Sequence, residues 1–556
     1  MPNLRLALLL LSAVSLYGQQ SPLIRILQEE LGRNFTALKQ KGDPAPYYLS
    51  YAVVESEVEL VSTSMGALLN QSKGHSRNFD ISVRVGSVKL DNYHRIRSDQ
   101  GRFTSGTLIP LDDGADAIKR RIWLETDRAY RGAATRLIQI KTNQQVKLAQ
   151  QDDSDDFSVE PAAAYSSDPP KVKFVAADWS ARLRKLSSEF GKYTGVLNSS
   201  LSVVVRRETR YFVNTEGTHI EQGRVFAQIV MNAQGKAGDG MDLALGESME
   251  AADPAKLPSD DAIRKTIDKL GTNLTALLRA PVVDPYVGPA ILSGNASGVF
   301  FHEIFGHRVE GHRQKDESEG QTFTKSVNQS VLPDFLSVIF DPTRETYDGT
   351  VLNGHYSYDD EGVKARSVTV VDHGILKTFL LSRSPIKGFP ESNGHGRRQA
   401  GAEVVSRQSN LIVQSGKTYP EAKLREMLRD ELKKQNKPWG LYFDKVTGGY
   451  TTTGRRGLQA FTVIPLVVYR VYADGRPDEL VRGVDIVGTP LASFAKIMAT
   501  SDKEEVFNGI CGAESGQVPV SAIAPAMLIS EIEIQRKDRS EDRPPFLSSP
   551  PEGQKP

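Results

Sequence analysis

Apolar positions at helical spacing open the chain after its first twenty residues. Ile24, Leu27, Leu31, Phe35 and Leu38 recur every three or four residues behind Ser21-Pro22, an N-cap followed by a first-turn proline, and predict an amphipathic helix ended by Gly42-Asp43-Pro44. From Tyr47 to about Leu90 the pattern turns to β-branched and aromatic runs, with Tyr51–Val54 and Val83–Val88 as the clearest strands. A strand-rich continuation is expected to reach Gln150–Asp156, where acidic residues, followed by Pro169-Pro170, predict an exposed loop with no binding role. Trp179, Leu183, Leu186 and Phe190 mark a second helix. Val203–Val205, Arg210–Val213 and Arg224–Met231 then predict a meander turning at Asn214–Gly217.

Ser259-Asp260-Asp261 caps a further helix, whose stripe Ile263, Ile267, Leu270, Leu274 and Leu277 reads as core. Pro281 and Pro285 interrupt any continuation and set a domain boundary near 280. Beyond it, Ala290–Leu292 predicts a strand and Asn295 or Ser297 the cap of a helix. Phe335–Phe340 is a hydrophobic stretch, and Val368–Val371 and Ile375–Leu381 predict strands joined by Asp372–Gly374. One helix is expected near Pro420–Lys434, a mobile loop at Gly448–Gly454, and a strong strand at Phe461–Tyr472. No repeat is present. The expected class is α+β: an N-terminal α/β domain of antiparallel sheet with long helices over 19–280, and a mostly β C-terminal domain over 281–536 carrying the site described next. The charged, proline-rich stretch 537–556 reads as a disordered tail.

Composition changes this picture in three places. Arg5, the apolar run Leu6–Leu11 and Gly18 read as a signal peptide over 1–18, so the expectation is an exported protein, periplasmic or secreted, with no membrane span in its mature form. Sixty-nine Lys plus Arg against 68 Asp plus Glu leave no basic field for nucleic acid or an anionic membrane, and peptides or proteins are the expected partners. The single cysteine, Cys511, permits no internal disulfide, and an exported lone thiol is either inert core or held by chemistry such as metal ligation.

The chemistry concentrates in Phe300–His312, where three of the chain's nine histidines fall within eleven residues. His302-Glu303-x-x-x-His307 is one residue longer than the zincin pattern, whose histidines are four apart. On a regular helix positions five apart diverge by roughly 140°. Two ligands of one metal then need a widened turn, for which a π-type bulge eased by Gly306 is the expected solution. Neutral imidazoles suit Zn2+, and Glu303 is the natural general base for a metal-activated water. A third ligand must come from elsewhere: His312, Glu310, a later histidine or Cys511. A shifted His307/His312 pair is also conceivable, and Asp359-Asp360-Glu361 reads as an acidic surface turn rather than a second cation site.

The segment Phe301–Gly311 resembles the TldD/PmbA family of metallopeptidases, and Tyr358–Gly362, Asp372–Lys377, Asn393–Arg398 and Cys511–Val520 look like further family landmarks in the same order. The resemblance covers about 285 to 535. It implies that His302, His307 and Cys511 hold the metal, that an N-terminal α/β domain precedes a mostly β one, and that a dimer encloses the site around unfolded or short peptides. His312 departs from the family pattern, which has an acid there, and its role is left open. The reading is a zinc-dependent peptidase with Glu303 as base, assembled as a homodimer or with a related subunit. The alternative is a non-catalytic, metal-stabilised peptide-binding protein or partner subunit.

Overall fold

The computed structural model describes residues 21–96, 101–144, 152–167, 171–457, 459–537 and Pro545. The signal peptide expected at 1–18, Pro169-Pro170 and nearly all of the tail expected at 537–556 therefore lie outside the described residues. No described helix is long and apolar enough to cross a membrane.

The strands up to Ala251 form one eight-stranded sheet. Its centre is two antiparallel hairpins, β1 (Pro46–Ser64) with β2 (Ala67–Ser87) and β3 (Asn198–Asn214) with β4 (His219–Lys236), joined through β1 and β3. Alternation decides the register: Tyr51 faces Ile81 and Val203 faces Ile229, all buried. The runs Val203–Val205 and Arg210–Val213 belong to this one continuous β3, and Asn214–Gly217 is the turn that follows it. An added strand, β5 (Asp242–Ala251), pairs with β4.

Helix α1 (Pro22–Lys41) starts at Ser21, whose Oγ accepts from the Ile24 amide, and buries Leu23, Ile24, Leu27 and Leu31. The strand-rich continuation expected before Gln150 is instead α2 (Ala115–Gln144). Its stripe is Ile118, Ile122, Ala129, Ala133, Leu137 and Ile140, all buried, but two alanines and many charged neighbours dilute the helical period. The acidic loop after it is not wholly exposed: Asp156 is buried and its carboxylate accepts the Asp91 amide and pairs with His94. Helices α3 (Ala176–Ser187) and α4 (Asp260–Arg279) follow the sequence pattern, with Ser259 capping α4.

Most strands from Tyr286 onward form a twelve-stranded sheet, and two short two-stranded ladders stand apart from it. Its core is a ring of pairings among β6 (Tyr286–Leu292), β10 (Trp439–Thr451), β11 (Phe461–Tyr472), β12 (Val484–Gly488) and β14 (Gly516–Arg536), from which β9 (Asn410–Ser415), β7 (Leu336–Phe340) and β8 (Val368–Asp372) branch off in that order at β14. The ring closes because β6 pairs with both β10 and β14: Ala290 faces Leu441 on one side and Ile529 on the other. β13 (Ile497–Ala513) forms a hairpin with β14, and α6 (Glu421–Lys434) covers the outside. The mobile loop expected at Gly448–Gly454 is instead mostly ladder, since Gly448–Thr451 pair with Phe461–Ile464. Beyond Leu376 the strand expected to reach Leu381 does not continue. The architecture is α+β, as the pattern implied.

Candidate metal centre

Helix α5 (Gly294–Ile304) packs against β10, β11, β13 and β14, and its residues from Val299 to Ile304 are all buried. Its apolar wall is aromatic: Phe300 meets Phe461 edge-on at 5.6 Å, and Phe301 lies 6.0 Å from Phe494. The cap is Ser293, not Asn295 or Ser297; Ser293 Oγ accepts from the Ala296 amide at 3.1 Å and donates to the Asp444 carbonyl at 2.8 Å. That pair of bonds fixes the start of the helix to β10.

The five-residue spacing of the histidines is solved by ending the helix rather than widening it. α5 stops at Ile304, Phe305 takes φ −111° and ψ −54°, and a 3-10 turn covers Gly306–Val309. The tighter turn re-aims His307, so the two imidazole rings stand 5.0 Å apart at 80°. Gly306 serves close approach, not bulging: a Cβ there would sit 1.9 Å from Gln408 Oε1. Gln408 in turn donates from Nε2 to the His302 carbonyl at 3.2 Å. Arg308 binds the freed helix end, donating to the carbonyls of Glu303 and Ile304 and to Thr451 Oγ1.

Cys511 arrives from β13. Its Sγ lies 3.2 Å from His302 Nε2 and 3.4 Å from His307 Nε2, and the three donor atoms fall within 4.8 Å of one another. Tetrahedral zinc with ordinary Zn–N and Zn–S bonds requires N···S separations of about 3.6 Å, so this donor set fits the ion. His307 Nδ1 donates to Glu310 Oε2 at 3.1 Å, so Nε2 is the ring nitrogen turned toward the sulfur. Glu303 Oε2 lies 3.9 Å from His307 Nε2.

The charges are mutually set. Burial pushes the Cys511 thiol up, but His307 and His302 override it and hold it well below the ordinary thiol range. Burial also works against the charge on Glu310, yet His307 and Arg313 bring it down to about 2. Glu303 moves the other way: burial raises it, against the opposing pull of the two histidines.

The remaining candidates separate. Glu310 and His312 do not join the converging donors: Glu310 orients His307, and His312 Nε2 pairs with Glu514, which Arg313 also binds at 2.9 Å. Asp359-Asp360-Glu361 is not a surface turn. Asp359 is buried and accepts the amides of Glu361, Val363 and Gly396, which explains an acidic triplet without a cation. Sequence reasoning missed Arg407, Arg308 and Gly449, and it offered Glu310 as a candidate ligand, whereas Glu310 supports His307 from behind. A cleft of about 1180 Å³ opens over the site, lined by Asn232 and Glu247 of the N-terminal sheet and by Lys445, Gly449, Asn508 and Glu514 of the other.

Residues 286–536 match the family model of the PmbA/TldA metallopeptidase C-terminal domain. Over those residues the chain is similar to the C-terminal domain of the TldD/PmbA family. A Methanothermobacter thermautotrophicus protein named metalloprotease is 26% identical over 377 residues, 67% of this chain and 77% of its own length. A Saccharolobus solfataricus relative named zinc metalloprotease TldD homolog is 26% identical over 44% of this chain and 51% of its own length. The chain thus spans about half to three quarters of the length of these relatives. The structure of TldE from Thermococcus kodakarensis superposes with a TM-score of 0.61 at 15% identity, covering 93% of this chain and 100% of that one, and shares its fold.

Proposed function

We propose that the protein is a metal-dependent peptidase that hydrolyses short or unfolded peptides, with His302, His307 and Cys511 as ligands of Zn2+ and Glu303 as general base. The observation that carries this reading is the convergence of two imidazoles and one thiol beside a buried carboxylate, on the floor of an open cleft. Bound zinc would supply a Lewis acid and a water acidic enough to ionise near neutral pH. Glu303 takes a proton from the attacking water and hands it to the departing amine. Glu310 keeps the His307 proton on Nδ1. The edge of β10 at Lys445–Thr451 and that of β13 at Val506–Ala513 both line the cleft, which suits a peptide lying extended and bound through its main chain. Folded proteins would be excluded for want of such a free strand.

The same reading extends to a dimer, with itself or a related subunit, and to export directed by residues 1–18. Light scattering and the N-terminal sequence of the secreted protein test these two points.

The test of the reaction is metal analysis with cleavage of an unstructured peptide by the wild type and by Glu303→Gln. The wild type is expected to hold one metal per chain and to cleave. The variant is expected to keep its metal while losing about 10²- to 10⁴-fold in rate. Full hydrolysis by the variant would remove Glu303 from the mechanism.

A further inference from the structure

Arg407 has no part in the reaction as drawn, yet it is fully buried directly behind the site. It donates from Nη2 to Cys511 Sγ at 3.2 Å and to the Cys511 carbonyl at 2.8 Å. From Nη1 it reaches Ser515 Oγ at 2.7 Å and the Gly516 carbonyl at 3.0 Å. Its Nε lies 3.3 Å from Glu310 Oε1. The other oxygen of Glu310 accepts from His307 Nδ1 at 3.1 Å and from Arg313 Nε at 2.9 Å. Four side chains therefore close a ring: His307 to Glu310, Glu310 to Arg407, Arg407 to Cys511, and Cys511 back to His307 across the donor atoms.

The ring joins two elements that have no reason to stay in register on their own. His307 rides on the 3-10 turn after α5, whereas Cys511 sits in the β13–β14 hairpin more than two hundred residues later. We propose that the Glu310–Arg407 bridge is a positioning device that couples the helix ligand to the sheet ligand, and that the Arg407 hydrogen bond withdraws electron density from the Cys511 sulfur toward the guanidinium. A metal bound there keeps more of its positive charge for the substrate carbonyl than a bare thiolate would leave it. The forked guanidinium reaches sulfur, hairpin turn and carboxylate at once; an ammonium cannot. This inference rests on the metal reading above.

Arg407 also holds the hairpin turn at Ser515 and Gly516, so loss of activity alone would not separate positioning from folding. Cobalt substitution does. Co2+ affinity is measured by chelator competition, and the sulfur-to-cobalt charge-transfer absorption is recorded, for the wild type, Arg407→Lys, Glu310→Gln and the double variant. Each single variant is expected to bind Co2+ about 10- to 100-fold more weakly, and the double variant less weakly than the product of the two. The charge-transfer band is expected to move to lower energy in Arg407→Lys. Glu310→Gln, which touches no sulfur and leaves the guanidinium in place, is expected to move it the same way by a smaller amount; it carries the test if Arg407→Lys does not fold. An unchanged band in the folded variants, or affinity losses that simply multiply, overturns the bridge alone. A wild type that binds neither Co2+ nor Zn2+ overturns the metal reading and the bridge with it.

Discussion

Cys511 is the one cysteine of the chain, and its thiol is squeezed between two imidazoles and a guanidinium. Cys511→Ser exchanges a thiol that this setting keeps ionised for a hydroxyl that stays protonated. Zinc content measured by atomic emission is expected to fall at least tenfold, and stoichiometric zinc in that variant would take Cys511 out of the site. His395 shows the opposite use of an imidazole. Enclosed between Asn393 and Ser409, it is held by burial at about 3, below the ordinary value of about 6.5. Between those values the unfolded chain binds a proton that the folded one refuses. The stabilisation is complete above about pH 6.5 and is lost as the pH falls toward 3, by up to about 1.4 kcal/mol per unit. Urea midpoints of the apoprotein across this range are expected to drop less steeply in His395→Gln. His302, Glu303 and His307 were legible because donor chemistry and spacing are local. Arg407 was not, since nothing near it in sequence points to a sulfur one hundred residues away.

The site is a problem of element geometry as much as of residues. A five-residue spacing cannot present two imidazoles to one ion from a regular helix, and the chain resolves this by stopping α5 at Ile304 and tightening the next turn. The stop is visible only with its partners: Arg308 takes up the end carbonyls, and Gln408 occupies the space that a side chain at 306 would need. Strand β10 contributes by what it omits. A Cβ on Gly449 would lie 2.8 Å from Glu303 Cγ and 2.6 Å from the Thr462 carbonyl, which belongs to the paired strand β11 and cannot retreat. Gly449→Ala is expected to leave the metal in place, displace Glu303 and reduce turnover at least tenfold, at a stability cost of about 1–3 kcal/mol. Unaltered turnover with metal retained would show that Glu303 does not depend on that contact. The glycine run that suggested mobility is thus explained by close packing of a strand on the base.

The cleft exists only where the two sheets meet, and buried polar bonds hold them together. Arg383 lies in the C-terminal half, almost fully buried, and grips Glu216 at the β3–β4 turn with two bonds of 2.7 Å. It also donates twice to the Ser158 carbonyl and stacks over Phe157. Arg383→Met strands Glu216 and is expected to lower stability by about 3 kcal/mol in urea unfolding; a change below about 0.5 kcal/mol would mean that the halves are held elsewhere.

By itself the sequence determined the class of the fold, the capped helices α1 and α4, the alternating strands, and a histidine-glutamate pair with the chemistry of a metal site. These follow from interactions within a few turns of chain, where period and capping are decided. The third donor became visible in sequence only through resemblance to the TldD/PmbA family. Tertiary structure alone decided how His307 turns to meet it, why Gly306 and Gly449 lack side chains, and how Glu310 and Arg407 close a ring behind the ligands. Each of those depends on atoms about a hundred or more residues apart meeting within about 3 Å, a distance set by packing of the whole core and by no local pattern.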